Sequence, residues 1–149
     1  MKNAPELLRA QHLRVTAPRI AVLDVLAERS HLTTDEVATA VRERIGALSM
    51  QAAYHVLDTL VCAGLLRRIE PAGSAARYEC RVGDNHHHLV CRNCGEVADV
   101  DCDSADRPCV VPPDGHGFEV DEAEVIFWGR CPVCRSNTPQ STLKARSST

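Results

Sequence analysis

The most specific chemistry in this sequence lies in two cysteine pairs, Cys91-Arg-Asn-Cys94 and Cys131-Pro-Val-Cys134. A C-x-x-C spacing sets two thiolates on one tight knuckle, where both can reach the same ion. Two knuckles complete a tetrahedron of sulfurs, which zinc accepts. Thirty-six residues separate the pairs, so such an ion would tie the start of a domain to its end. The alternative is two separate redox motifs, but neither pair reads as the start of a helix in a βαβ unit. A second cluster is Asp84-Asn-His86-His87-His88. On a strand, His86 and His88 would point to one face and His87 to the other. A chain turning back through Glu96–Asp101 would bring Asp99 across from His86 and His88. Two imidazoles and a carboxylate suit iron, manganese, zinc or nickel better than calcium. A solvated strand end is the competing reading of the run, and His87 is read as a leftover or exposed side chain.

The composition bounds what can position these groups. The chain has 149 residues, 44% apolar and 25% charged, with a formal charge of −3. This is ordinary globular usage, which excludes collagen, wholesale disorder and coiled coil. No apolar run approaches the roughly 18 residues of a membrane span. The N-terminus lacks the apolar core and cleavage site of a signal peptide. The expectation is a cytoplasmic protein without a membrane partner. Eight cysteines, none before Cys62, then point to metal or redox chemistry rather than structural disulfides. With only five aromatic residues, a small core gains from a metal staple.

Charge and pattern divide the chain. Residues 1–80 carry ten basic against nine acidic residues, whereas residues 84–124 carry two against eleven. The expected organisation is a first domain over 1–82, a second over 83–135, and a Ser/Thr-rich disordered tail over 136–149. The first domain reads as four helices and a hairpin. A short helix lies around Glu6–His12. A second starts after Thr16 as N-cap, with Pro18 in its first turn and a broad apolar stripe over Ile20, Val22, Leu23, Val25 and Leu26. A third opens on the capping box Thr33-Thr-Asp-Glu36. A fourth starts at Ser49, buries Ala53, Val56, Leu57, Leu60 and Val61, and ends at Gly64. Its other face presents Gln51, Tyr54, His55, Asp58 and Thr59. Leu65–Glu70 and Ala75–Cys80, joined by Pro-Ala-Gly-Ser, read as strand, turn, strand. Helices followed by a hairpin make a winged helix-turn-helix, with Arg67, Arg68 and Arg77 on the wing. A helical bundle with solvated arginines is the alternative, because a charge of +1 over residues 1–80 is a weak electrostatic footprint. Residues 104–117 hold three prolines and two glycines, which disfavour a regular helix there.

These motifs together resemble the ferric uptake regulator (Fur) superfamily. The DNA-binding half is carried by Arg14-Val-Thr-Ala-Pro-Arg19, His31-Leu-Thr-Thr-Asp-Glu36, the stretch from Ser49 to Tyr54, and Gly64-Leu65. The dimerisation half is carried by Arg77-Tyr-Glu79, the histidine run, Cys91-x-x-Cys94-Gly, Asp99, and Gly129-Arg-Cys131-x-x-Cys134. The stretches Arg81-Val-Gly-Asp-Asn-His-His-His and Asp121-Glu-Ala-Glu-Val-Ile-Phe-Trp-Gly are similar to the actinobacterial catalase-linked subgroup, which represses catalase or catalase-peroxidase genes. The resemblance implies an α+β chain: a winged helix-turn-helix domain followed by a small α/β dimerisation domain with a four-cysteine zinc site. It implies structural Zn²⁺ on Cys91, Cys94, Cys131 and Cys134. It implies regulatory Fe²⁺ or Mn²⁺ on His31, Glu79, His86, His88 and Asp99. Relatives often have a third site using a histidine at the position of Ala123, which this chain cannot supply. Ala52 and His55 stand where relatives often carry Thr and Arg.

The implied function is a metal-dependent homodimeric repressor, peroxide-responsive, that binds an inverted-repeat operator in double-stranded DNA. The DNA contacts expected are Arg19, Ser49, Gln51, Tyr54, Arg67 and Arg77. A sensor of iron, zinc or nickel supply is the alternative within the family. A thiol switch using Cys80, Cys102 or Cys109 is another. A zinc enzyme is the alternative from a different class, but four thiolates leave no open coordination position for catalysis.

Overall fold

The computed structural model describes residues 3–84, 86–102 and 108–137. It divides into two compact units, with the division after Asp84.

The first unit contains α1 (Ala4–Ala10), α2 (Ala17–Glu28), β1 (Leu32–Thr33), α3 (Thr34–Ile45), α4 (Met50–Cys62), β2 (Arg67–Ile69) and β3 (Arg77–Glu79). Local chemistry sets most of the boundaries. Asn3 and Glu6 form a capping box at α1, and Thr33 and Glu36 form another at α3. The Ser49 hydroxyl accepts the Ala52 N–H at the start of α4. Thr16 precedes α2 but makes no side-chain cap, so that boundary rests on Pro18 and the apolar residues that follow. Gly46 ends α3 with φ +88°, a conformation that a Cβ would strain. α2 buries Ala21, Val22, Leu23, Val25 and Leu26. A helix apolar on so much of its surface belongs in the middle of a unit. Around it pack Leu8, Val37, Val41, Leu57, Leu60 and Tyr78. The three strands form an antiparallel sheet in the order β1-β3-β2. The expected hairpin is β2 and β3. The two-residue β1 was not expected, and it pairs Leu32 with Tyr78 and Thr33 with Arg77.

The second unit contains β4 (His86–Cys91), β5 (Val97–Asp101), β6 (Ile126–Gly129) and α5 (Pro132–Ser136), with sheet order β5-β4-β6. β4 and β5 are antiparallel around the first cysteine knuckle. β6 lies parallel to β4, pairing His88 with Ile126 and Cys91 with Gly129. That parallel register brings Cys131 back beside the first knuckle. Cys131 is the N-cap of α5, a helix of five residues outside any βαβ unit, so the expectation that neither C-x-x-C opens a helix of a βαβ unit stands. Ser136 closes that helix rather than opening the tail. The rest of the expected tail, 138–149, lies outside the described residues, as do 103–107. Residues 108–117 contain neither helix nor strand, as their prolines and glycines predict. No helix is long and apolar enough to cross a membrane.

The α3 cap yields a stability test. Glu36 accepts the Thr33 N–H at 2.8 Å and its hydroxyl at 3.0 Å. The Thr33 backbone N–H, then the Thr33 hydroxyl and Arg77, hold the Glu36 carboxyl below its usual range against a partial burial penalty. Thr33→Ala is expected to cost about 1 kcal/mol in urea unfolding. The carboxylate's contribution is fully present above the ordinary Glu value of about 4.3 and is lost as pH falls through the lower folded value. Glu36→Gln keeps the cap and is expected to flatten that acid limb of the stability profile.

Candidate functional site

Four cysteine sulfurs, those of Cys91, Cys94, Cys131 and Cys134, lie within 4.8 Å of one another. The backbone builds both knuckles. Gly95, at φ +76°, lets the chain turn so that its N–H meets the Cys91 carbonyl at 2.9 Å, and the Cys91 N–H bonds the Glu96 carbonyl at 2.9 Å. The Cys131 N–H donates to the Cys91 sulfur at 3.3 Å, and the Cys134 N–H donates to the Cys131 sulfur at 3.5 Å. The N–H groups of Cys131, Cys94 and Asn93 draw the Cys91 thiol down to about 6, against the cost of burial. The sulfurs of Cys131 and Cys94 push the Cys134 thiol up to about 12. One thiolate forms readily, and its charge then opposes the others. A dication at the centre removes that conflict, so the donor set and its spacing fit zinc.

A second set of donors sits in the first unit. His31 has φ +64°, a left-handed conformation that costs a non-glycine residue energy. Contacts to Tyr78, Arg77 and Glu79 hold it there. Its N–H bonds the Tyr78 carbonyl at 2.9 Å, its carbonyl accepts from the Arg77 guanidinium at 2.9 Å, and its Nε2 lies 3.0 Å from a Glu79 carboxylate oxygen. Glu79 is fully buried. A buried carboxylate on an imidazole is a low-dielectric donor pair that a cation stabilises.

A third set sits in the second unit. His86 and His88 are buried on one face of β4, with ring centroids 4.9 Å apart. Asp99 faces His88 in register across the hairpin. Its Oδ1 lies 3.6 Å from the Nε2 of His88 and 3.9 Å from that of His86. The alternation read from the histidine run therefore assembles these three side chains.

His87, expected to be exposed or without a role, is buried instead. Its Nε2 lies 2.8 Å from the Cys109 sulfur. Burial, and then the neighbouring Cys102 sulfur, raise the Cys109 thiol above its ordinary value. The period of β4 sends His87 to its own face and that of β5 sends Cys102 to the same side, whereas Cys109 lies on a stretch with neither helix nor strand.

On α4, Ser49, Gln51, Tyr54, His55 and Asp58 are exposed, while Ala53, Val56, Leu57 and Leu60 are buried. Tyr54 is 52% exposed, which leaves its ring and hydroxyl open to a partner. Arg67 and Arg19 are half-buried, and Arg19 donates to the Arg14 carbonyl at 2.8 Å. Arg68 pairs with Glu70 at 2.6 Å. The Arg77 guanidinium donates to the His31 carbonyl at 2.9 Å and lies 4.0 Å from Glu36.

Comparison with known proteins supplies the family. The ferric uptake regulator family model matches residues 10–127. The transcriptional regulator FurA of Mycobacterium tuberculosis is 53% identical over 137 residues, covering 91% of this chain and 93% of that protein. Ferric uptake regulation protein 1 of Mycolicibacterium fortuitum is 52% identical over 87% of this chain and 80% of its own length. The peroxide operon regulator of Bacillus subtilis is 26% identical over 90% of this chain and 92% of its own. Among solved structures, the ferric uptake regulator of Pseudomonas aeruginosa with manganese has a TM-score of 0.64 at 27% identity, covering 89% of this chain and 99% of that one. With its family model matched over most of its length and relatives above half identity, this chain belongs to the ferric uptake regulator family: it is a metal-responsive, DNA-binding transcriptional regulator and not an enzyme.

Proposed function

We propose that the chain is a homodimeric repressor of peroxide-defence genes, such as those for catalase or catalase-peroxidase, whose DNA binding depends on a regulatory metal. The observation that carries this reading is the His31–Glu79 pair: a strained histidine held against a fully buried carboxylate, in the same unit as the α4 surface. Backbone strain of this kind is kept at sites that work.

In this reading Cys91, Cys94, Cys131 and Cys134 hold structural Zn²⁺. His31, Glu79, His86, His88 and Asp99 hold regulatory Fe²⁺ or Mn²⁺, as the family resemblance implies. Ser49, Gln51 and Tyr54 face base edges in the major groove, and Arg19, Arg67 and Arg77 lie near phosphates. A two-fold dimer prefers an inverted repeat. The exposed pair Leu89 and Phe127, in register on β4 and β6, offers the apolar surface that a dimer covers. Bound Fe²⁺ supplies the reduction of peroxide beside its own ligands. The family resemblance implies His31 or His86 as the imidazole that would take up one peroxide oxygen, the other leaving as water. An oxidised imidazole would donate poorly, so the site would release its metal and DNA affinity would fall by the metal–DNA coupling. Such couplings are typically about 1–3 kcal/mol. A thiol switch at Cys80 is disfavoured, because burial and the nearby Glu79 and Asp24 charges push its thiol up to about 11.

The structural site, the reading helix and the sensing chemistry can each be tested. Cys131→Ser is expected to release zinc and to unfold or dissociate the dimer, read by metal analysis and sedimentation; a variant keeping full zinc and normal size contradicts the site. Tyr54→Ala is expected to lower specific operator affinity by about 1–3 kcal/mol, whereas Arg67→Ala weakens all sequences alike and lowers the salt slope by about 1. After peroxide treatment, peptide mass spectrometry is expected to show one added oxygen on the His31 or His86 peptide in the Fe²⁺ form and not in the Mn²⁺ form. Unmodified histidines with a new disulfide among Cys80, Cys102 and Cys109 would move sensing to the thiols.

A further inference from the structure

One group of chemically competent side chains is used by neither the four-cysteine knuckles nor the proposed regulatory set. His87, Cys102 and Cys109 each offer a ligand atom, and the three atoms lie within 4.8 Å of one another. His87 is only 7% exposed. Its Nε2 meets the Cys109 sulfur at 2.8 Å, and its Nδ1 is buried with no hydrogen-bond partner among the described residues. Strand geometry makes the placement firm. His87 pairs with Val100, so Cys102, two residues beyond Val100, falls on the same side of the β4–β5 ribbon as His87. His86 and His88 occupy the opposite face of β4, with Asp99. The Phe127 ring flanks the His87 ring at 6.4 Å and gives the cluster an apolar wall.

We propose that His87, Cys102 and Cys109 form a third metal site, for a borderline-soft divalent cation of the zinc class, separate from the four-cysteine site and from the regulatory set. The donor types select the ion. Two thiolates and an imidazole match zinc, whereas iron(II) and manganese(II) favour the oxygen- and nitrogen-rich set on the other face. Charge selects a dication. Two thiolates and a neutral imidazole sum to −2, which a divalent ion cancels, and the surrounding segment 84–124 already carries two basic against eleven acidic residues. On binding, each thiol gives up its proton to solvent, and the His87–Cys109 hydrogen bond is replaced by two bonds to the ion. Three protein ligands leave a fourth position for water or another donor. The ion would fasten the irregular stretch containing Cys109 to the central strand.

Cobalt(II) titration of the full-length reduced protein tests this site, after the four-cysteine site has been filled with one equivalent of zinc. One further equivalent of Co²⁺ is expected to produce sulfur-to-cobalt charge-transfer absorption. Cobalt among imidazoles and carboxylates gives no such band, so the regulatory set is silent in this readout. Cys102→Ser and Cys109→Ser are expected to abolish the band while keeping the first zinc equivalent, which reports that the unit still folds. His87→Gln is expected to weaken cobalt binding at least tenfold while retaining part of the band. No sulfur band in the zinc-filled parent, a band undiminished in Cys109→Ser, or a Cys102–Cys109 disulfide in protein purified anaerobically would each overturn the proposal.

Discussion

Among its described residues the second unit has almost no apolar interior, and most of its architecture follows from that. Its buried side chains, among the described residues, are Val90 and Cys91 together with His86, His87 and His88. Burying one aliphatic side chain stabilises by about 1.5–3 kcal/mol, far too little from so few residues to fix a three-stranded sheet against chain entropy. A structural zinc contributes on the order of 10 kcal/mol in small domains. With zinc held by Cys91, Cys94, Cys131 and Cys134, as proposed above, that cross-link would outweigh the hydrophobic packing of the described residues and make the four sulfurs the organising contact. The parallel pairing of β6 with β4 has the same logic: it returns Cys131 to the knuckle at Cys91 and Cys94. The first unit differs in kind. Its core gathers residues from α1 through β3.

Within the first unit, β1 links the candidate ligand to the scaffold. It is only Leu32–Thr33, but it pairs with β3 on one side and runs directly into α3 on the other. His31 immediately precedes it and is fixed to Tyr78, Arg77 and Glu79. Tyr78 in turn is a buried member of the core that includes Leu57 and Leu60 of α4. A change in what His31 and Glu79 hold is therefore a change at a strained point wired into the packing of α4. This gives a physical route from ligand to helix without requiring the helix itself to touch a metal.

How far the sequence foretold all this depends on the range of the interaction. Elements governed by neighbouring residues were legible: the Thr33–Glu36 box, the Ser49 cap, the end of α4 near Gly64, and the β4–β5 hairpin around Cys91 and Cys94. The histidine alternation was legible for the same reason, because a strand has period 2. Elements that exist only through distant pairing were not. β1 has two residues and no pattern, and it forms because β3 offers an open edge. Arg77 read as a surface cation, yet the His31 carbonyl and Glu36 lie where it can serve both. His31 and Glu79 came from family resemblance, since 48 residues separate them and neither sits in a periodic run. His87 reads as a leftover because its nearest partner, Cys109, lies in 108–117, which has neither helix nor strand.

The three consecutive histidines acquire a simple interpretation from this geometry. Because successive side chains on β4 alternate, one short run serves two environments. His86 and His88 meet a carboxylate at Asp99, while His87 meets a thiol at Cys109. Hard oxygen and borderline nitrogen donors are collected on one face, and sulfur on the other. Discrimination between metals in proteins comes from ligand type and geometry more than from raw affinity. A single strand that sorts donors by softness lets a zinc-class ion and an iron-class ion lie close together without competing for the same ligands. The arrangement is register-critical. A one-residue slip of β4 would exchange the faces and present sulfur to His86 and His88 and carboxylate to His87. The pairing of β4 with β5 on one side and β6 on the other holds that register from both edges, so the sheet, and not any single ligand, enforces the separation of the two chemistries.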